Sequence, residues 1–392
     1  MTQPAVPPIA GVPATFAGPA VLPQPTVPPQ SAGEEPEVDA EETAPAPPLS
    51  VREDPRWEPP TRGLRLELLV AWLRPRLTRT IAVINGKGGQ GKTSVVCNLA
   101  VLLAEVLVQS GSKRRVLVVD LDPQANTGLD LGHQDREGDD GGEGLEDAVL
   151  KGRPLHVIRD VRPQLDVVPS GDSIELLGSD IMSRVTRDGD TAWLNLALAL
   201  AKIAHEYDWI LIDCPPGEAN IQKLALAAAR YAVIPAHLDA ASRRGLAKVS
   251  RRFEDAGRYN PDLDLLGVVL FDFQRRMSRP KDGSAPEPIG QVVRQRRRIE
   301  AVLRRVGSDA PVFEAFVRSA DLVAEQCRDR GQTVFELSRS TDGVQWWELR
   351  AGRKNGTVLA SDRAEAVGQD YEDLGAEIVD RVLAIEQLEA TA

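Results

Sequence analysis

The chain has 392 residues, a formal net charge of −11 and 42% hydrophobic residues; this argues against a protein that binds polyanions over its whole surface and leaves any nucleic-acid contact to a local patch. Its three cysteines, Cys97, Cys214 and Cys327, are far apart and never form a Cys-x-x-Cys pair, so neither a disulfide framework nor a zinc site is indicated and a reducing cytoplasm fits best. The longest apolar stretch, residues 99–108, is too short to span a bilayer and is broken by Glu105, and no basic segment leads into an apolar run at the N-terminus, so a soluble, unexported chain is expected.

Residues 1–60 hold sixteen of the 29 prolines, and nine acids against two bases, Arg52 and Arg56. Such a stretch has too little apolar surface to offset its ordering entropy, which predicts a disordered, Pro-rich acidic tail. Residues 61–78, with "RGLRLELLVAWLRPRL", read as an amphipathic helical lead-in that packs on the core. From residue 79 onward, short apolar segments alternate with longer helical patterns. Strands are predicted at 80–84, 115–120, 165–169, 209–213, 232–236 and 265–271, dense in Val, Ile and Leu with little alternation, as strands buried on both faces must be. Helices are predicted at 92–108, 190–205, 219–229, 240–257, 288–306 and 363–388. The fold class is therefore α/β, a predominantly parallel sheet with helices on both faces. Two stretches read as surface insertions, the acidic, glycine-rich 135–144 and a hairpin-like 340–361. The second carries Trp346 and Trp347, which on a strand would face opposite sides; the outward one marks a partner site, or the hairpin simply packs locally.

Within this frame "INGKGGQGKTS" (84–94) has the spacing of a phosphate-binding loop: Gly86, four residues, then Gly91, Lys92 and Thr93, between a buried strand and a helix. The glycines let backbone N–H groups turn inward around phosphate oxygens, with the helix N-terminus adding partial positive charge. Lys92 would grip the β and γ phosphates and the Thr93 hydroxyl would bind Mg2+; the alternative is a glycine-rich turn that binds nothing. "WILID" supplies a carboxylate for the metal shell at Asp213, although an Asp at a strand end also serves as a helix cap or turn residue. "VLVVDLDPQAN" places Asp120 and Asp122 past another strand, where residues two apart point the same way and one can position or deprotonate a water, or where the pair only shapes the turn before Pro123.

"KGGQGKTS", "VVDLDPQAN" and "DWILIDCPP", in this order, resemble the deviant Walker A phosphate loop, first switch and metal-binding strand of ParA-type partition ATPases. That group also contains MinD, the nitrogenase iron protein and the arsenite-pump ATPase. The resemblance runs over about 78–338 and returns in the last helix. It implies a P-loop NTPase domain over 79–392 that uses ATP and Mg2+, with a nucleotide-binding loop of Gly86, Lys87, Gly88, Gly89, Gln90, Gly91, Lys92, Thr93 and Ser94. Lys87, the second lysine of the loop, would reach across an ATP-dependent homodimer to the partner's nucleotide. Lys87, Lys92 and Asp122 would form the catalytic set, Asp122 preparing the water. Thr93 and Asp213 would serve the metal, with Asp120 near it. The segment "CPPGEANIQKLAL" departs from the family's more usual Pro-Pro-Ser-Leu-Gly, as does "IPAHLDAASRRGL" from its usual continuation.

Partition ATPases also bind DNA without regard to sequence, and residues 275–305 carry ten bases against three acids. In "QVVRQRRRIEAVLRRV", Val292, Ile299, Val302, Leu303 and Val306 share one face, while Arg294, Arg298 and Arg305 share another. With Arg275 and Arg276 these arginines are the candidate DNA contacts, the alternative being a solvated face. The resemblance implies a nucleoid-associated, cytoplasmic ATPase that partitions or positions plasmid, chromosome or other cargo through a ParB-like adaptor, with no membrane. The alternative is a MinD-like membrane-cycling regulator, which the acidic ending "DRVLAIEQLEATA" disfavours.

Overall fold

Among the described residues eight strands form one sheet: β1 (Thr80–Val83), β2 (Arg115–Asp120), β3 (Ile158–Arg162), β4 (Leu165–Val168), β5 (Tyr207–Asp213), β6 (Tyr231–Ala236), β7 (Asp264–Phe273) and β8 (Val312–Arg318), in the order β3-β4-β2-β5-β1-β6-β7-β8. Every pairing is parallel except β3 with β4. The computed structural model describes residues 66–134, 136–237, 240–273, 291–305, 307–340 and 361–391. All of them belong to one unit, Pro45–Ala392. The tail, the insertion with Trp346 and Trp347, and the pair Arg275 and Arg276 lie outside the described residues.

The inner strands are apolar at nearly every position because each faces two cores. Ala82 and Ile84, Leu117 and Val119, and Ile210 and Ile212 point into one. Their neighbours Ile81 and Val83, Val116 and Val118, and Trp209 and Leu211 point into the other. Helices α1 (Leu66–Leu73), α2 (Lys92–Ser110), α3 (Asn126–Asp130), α4 (Glu143–Lys151), α5 (Leu177–Asp188), α6 (Asn195–Ile203), α7 (Ala219–Ala228), α8 (Ala240–Gly257), α9 (Gln291–Arg305), α10 (Asp321–Arg330), α11 (Val334–Ser340) and α12 (Ser361–Thr391) connect and cover the strands. The first core is closed by apolar residues of α1 and α4 through α9, the second by α2 and α10 through α12. By length and composition α2 would suffice to cross a membrane; here Val95, Val96, Leu99 and Leu103 bury it between sheet and α12.

Several boundaries differ from the sequence expectation for identifiable reasons. The lead-in helix stops at Leu73 because Pro75 cannot continue it, and the chain leaves through a short 3-10 turn, Arg74–Arg76. The single helix expected over 190–205 is a 3-10 turn (Asp190–Leu194), then α6, then a second 3-10 turn (Ala204–Glu206). In 135–144, residues 136–138 are exposed, whereas a Cβ at Gly142 would meet Ile174 at 2.8 Å, so the end of that stretch is wedged against the body.

Both edge strands, β3 and β8, escaped the apolar-run criterion because they are charged. β3 carries Arg159 and Asp160, and the fully buried Asp166 beside it is balanced by Arg115, Arg159 and the Tyr207 hydroxyl. β8 is covered by α12, whose carboxylates accept its outward N–H groups: Glu377 from Glu314 and Ala315, Asp370 from Arg318. The acidity of the last helix therefore has a structural use, since it satisfies a sheet edge that would otherwise remain unpaired. Further along, Glu386 holds Arg79 and Glu389 holds Arg230.

Candidate functional site

Strands β2, β5 and β1 are consecutive in the sheet, with Asp120 beside Asp213 and Asp213 beside Val83. Register alone therefore sets the three motifs side by side at the C-terminal ends of the strands, where open α/β sheets bind ligands.

The loop from Gly86 to Gly91 leaves β1 and enters α2 at Lys92. Lys87, Gly88 and Gly89 are exposed at its tip, Gly86, Gly91, Thr93 and Ser94 are half-buried, and Gln90 and Lys92 are buried. Gly89 and Gly91 take φ of +67° and +79°, which only glycine adopts without strain. Gly91 is doubly constrained, because a Cβ there would lie 2.2 Å from the Phe271 ring. Two amides tie the loop to the end of β6: Asn85 donates to the Pro235 carbonyl at 2.5 Å and accepts the Lys87 N–H, and Gln90 accepts the His237 N–H. Ser94 and Tyr371 of α12 line the same groove.

The carboxylates differ in their tasks. Asp213 accepts the Thr93 hydroxyl at 2.6 Å through Oδ2, while its buried Oδ1 has no protein partner. Asp120 accepts the Asp122 N–H at 2.8 Å and the Thr127 hydroxyl at 2.5 Å, so it organises the loop that follows β2. Asp122 accepts the Gln124 N–H at 3.1 Å, an Asx turn at the start of that loop. Burial drives the Asp120 pKa up to about 7, opposed by the bonds from Thr127 and Asp122 and reinforced by the Asp122 charge. Asp213 is raised well above the carboxylate range by burial and then by the Asp120 charge, with Thr93 and Lys92 opposing. Two adjacent buried carboxyls that resist ionising together are suited to receive a cation.

Among the described residues no three His, Cys, Asp or Glu side chains converge as a ready metal cage. The residues present fit Mg2+ nonetheless, since this ion takes few protein ligands and completes its shell with phosphate oxygens and water. Thr93 and the unengaged Oδ1 of Asp213 are the oxygens that would serve it.

Beside the loop, a groove of about 480 Å³ is lined by Gly91, Ser94, His237, Phe271, Ser319 and Tyr371, among others. The His237 and Phe271 rings stack with centroids 5.8 Å apart. Neither aromatic was singled out from sequence; Phe271 reads simply as the end of an apolar strand. On α9, Val292, Ile299 and Leu303 are buried, whereas Arg294, Arg298 and Arg305 are exposed. Arg296 is diverted inward to the Phe313 carbonyl and to Glu314.

Comparison with known proteins fits this arrangement. The profile of a family described as AAA domain matches residues 78–265. The chromosome partitioning protein ParA of Myxococcus xanthus is 34% identical over 208 residues, which are 50% of this chain and 66% of that protein. ParA of Caulobacter vibrioides is 33% identical over 210 residues, 51% of this chain and 72% of that protein. Among solved structures, a Cyanothece McdA–ATP complex superposes with a TM-score of 0.52 at 20% identity, covering 71% of this chain and 98% of its own, a likeness of fold. With its three motifs in order and a relative matched over more than two thirds of its length, the chain belongs to the ParA family of P-loop ATPases.

Proposed function

We propose that the protein is an ATP-dependent dimerising ATPase that binds DNA without sequence preference and drives partition or positioning of a cargo through an adaptor protein. The observation that carries this reading is the convergence of Thr93, Asp213 and Asp120 at the mouth of a loop whose tip exposes Lys87. ATP would lie with its phosphates on residues 86–94 and its base toward the groove beside Phe271. Lys92 would offset phosphate charge, and Thr93 with Asp213 would hold Mg2+, the positive charge it supplies being suited to charge that develops on phosphate oxygens. Asp122 orients the attacking water and accepts its proton. Lys87, exposed at the tip, would meet the nucleotide of a second copy, which would make dimer affinity depend on ATP.

The exposed Arg294, Arg298 and Arg305 supply a phosphate-tracking stripe, doubled on dimerisation. A cytoplasmic, nucleoid-associated location and a ParB-like adaptor accord with the relatives' chromosome partitioning. Helix α12 speaks against a membrane-cycling alternative: Val367, Tyr371, Leu374, Ile378 and Val382 are buried in the second core, Glu386 and Glu389 are held by arginines, and its exposed Leu383 and Leu388 have no basic face beside them.

The test is light scattering of three variants with ATP. Lys92→Ala should lose nucleotide binding, Lys87→Ala should bind ATP and stay monomeric, and Asp122→Ala should dimerise without hydrolysing. An Asp122→Ala protein that hydrolyses at the wild-type rate removes Asp122 from catalysis.

A further inference from the structure

The loop after Asp213 cannot satisfy its own backbone. Its sequence runs Cys214-Pro215-Pro216-Gly217, so two successive residues lack N–H donors. Two donors come instead from one side chain. Gln222, on the first turn of α7 and fully buried, donates through Nε2 to the Pro215 carbonyl at 2.5 Å and to the Asn85 carbonyl at 3.2 Å. Because both neighbours are carbonyl oxygens, only the nitrogen of the amide can face them, so its orientation is fixed.

The two carbonyls belong to different machines. Asn85 opens the phosphate loop and itself holds the Lys87 N–H, whereas Pro215 is two residues beyond Asp213. The loops also lie close together: a Cβ on Gly88 would meet the Pro216 ring at 3.8 Å. On the far side, Arg252 of α8 donates to the Gly217 carbonyl at 3.3 Å. The stretch from 214 to 217 is thus clamped between α8 and the phosphate loop, and of these groups it is Gln222 that binds both loops through a single rigid amide.

We infer that Gln222 is a positioning residue for hydrolysis: its paired hydrogen bonds set the spacing between the phosphate loop and the Asp213 loop, and so register Lys92 and Asp213 on the same nucleotide. The inference rests on the nucleotide lying on residues 86–94. ATP binding itself depends on the intact loop backbone and on Lys92, so it should tolerate loss of the clamp, whereas turnover, which needs the two loops in register, should not.

The experiment measures the affinity of the full chain for a fluorescent ATP analogue and its steady-state hydrolysis. Gln222→Met keeps the shape and removes both donors; the expected result is affinity within about threefold of wild type and kcat lower by about tenfold or more. Gln222→Asn keeps the amide but withdraws it by one methylene, and kcat should fall between the two. An unchanged kcat, or affinity and kcat falling by the same factor, overturns the assignment and leaves Gln222 a packing residue. Should the methionine variant not fold, the asparagine variant decides on the same criteria. Lys92→Ala serves as the control: if it binds nucleotide normally, the placement of ATP on the loop fails, whatever Gln222 does.

Discussion

The Thr93 hydroxyl donates to the Asp213 carboxylate across 2.6 Å, joining the first turn of α2 to the end of β5. Replacing Asp213 by Asn keeps an acceptor for Thr93 and removes the charge. Nucleotide affinity in the presence of a chelator should stay near wild type, the gain on adding Mg2+ should vanish, and hydrolysis should fall by roughly a hundredfold. Titrations with and without Mg2+ check this; a variant with an undiminished Mg2+ effect takes the metal away from Asp213.

Charge reversal on α9 separates DNA binding from nucleotide chemistry. Arg294, Arg298 and Arg305 are exposed while Val292, Ile299 and Leu303 anchor the helix, so the triple Arg→Glu protein should fold, hydrolyse basally and lose duplex binding. For single Arg→Ala changes the slope of log affinity against log salt should shrink by about one for each phosphate that is no longer neutralised. Gel shifts at two salt concentrations with ATP measure it, and a wild type that fails to bind duplex at low salt sinks the DNA reading.

His133 follows the loop after Asp122 and is 2% exposed. Burial lowers its pKa from 6.5 to about 4, with Asp139 opposing. Between these values the unfolded chain binds the extra proton, so stability rises with pH through this window: the contribution is complete above 6.5 and is lost progressively as pH falls toward 4. Its size is on the order of 3 kcal/mol. The melting temperature of wild type should drop more steeply between pH 7 and pH 5 than that of His133→Gln. Parallel curves would show that His133 does not carry the effect.

The Arg318 and Asp370 side chains, 19% and 7% exposed, form a two-pronged pair that also caps the Arg318 N–H at the sheet edge. Asp370→Ala strands a mostly buried guanidinium and an edge N–H, and should cost about 3 kcal/mol or more. Denaturant unfolding measures this loss, and a change below about 1 kcal/mol would mean that the cation relaxes into water.

The sequence by itself determined the two-faced strands and the three motifs, because both are local. Burial on both sides demands continuous apolar runs such as "TIAVI" and "RVLVVD", and a phosphate loop is a matter of glycine spacing between a strand and a helix. It also placed the buried and charged faces of α9, since period 3.6 is enough for that. Only the tertiary structure decided the rest. The edge strands β3 and β8 pair with β4 and β7 through the backbone but carry charges that make them look like loops, and the acids that seal β8, Asp370 and Glu377, come from a helix more than fifty residues away. The organising role of Asp120 depends on Thr127 folding back onto it, and the link from Asn85 to Pro215 depends on a glutamine that in sequence is one polar residue of an apolar helix. Hydrogen bonds between distant segments have no period and no fixed spacing, so the chain carries them only once it has folded.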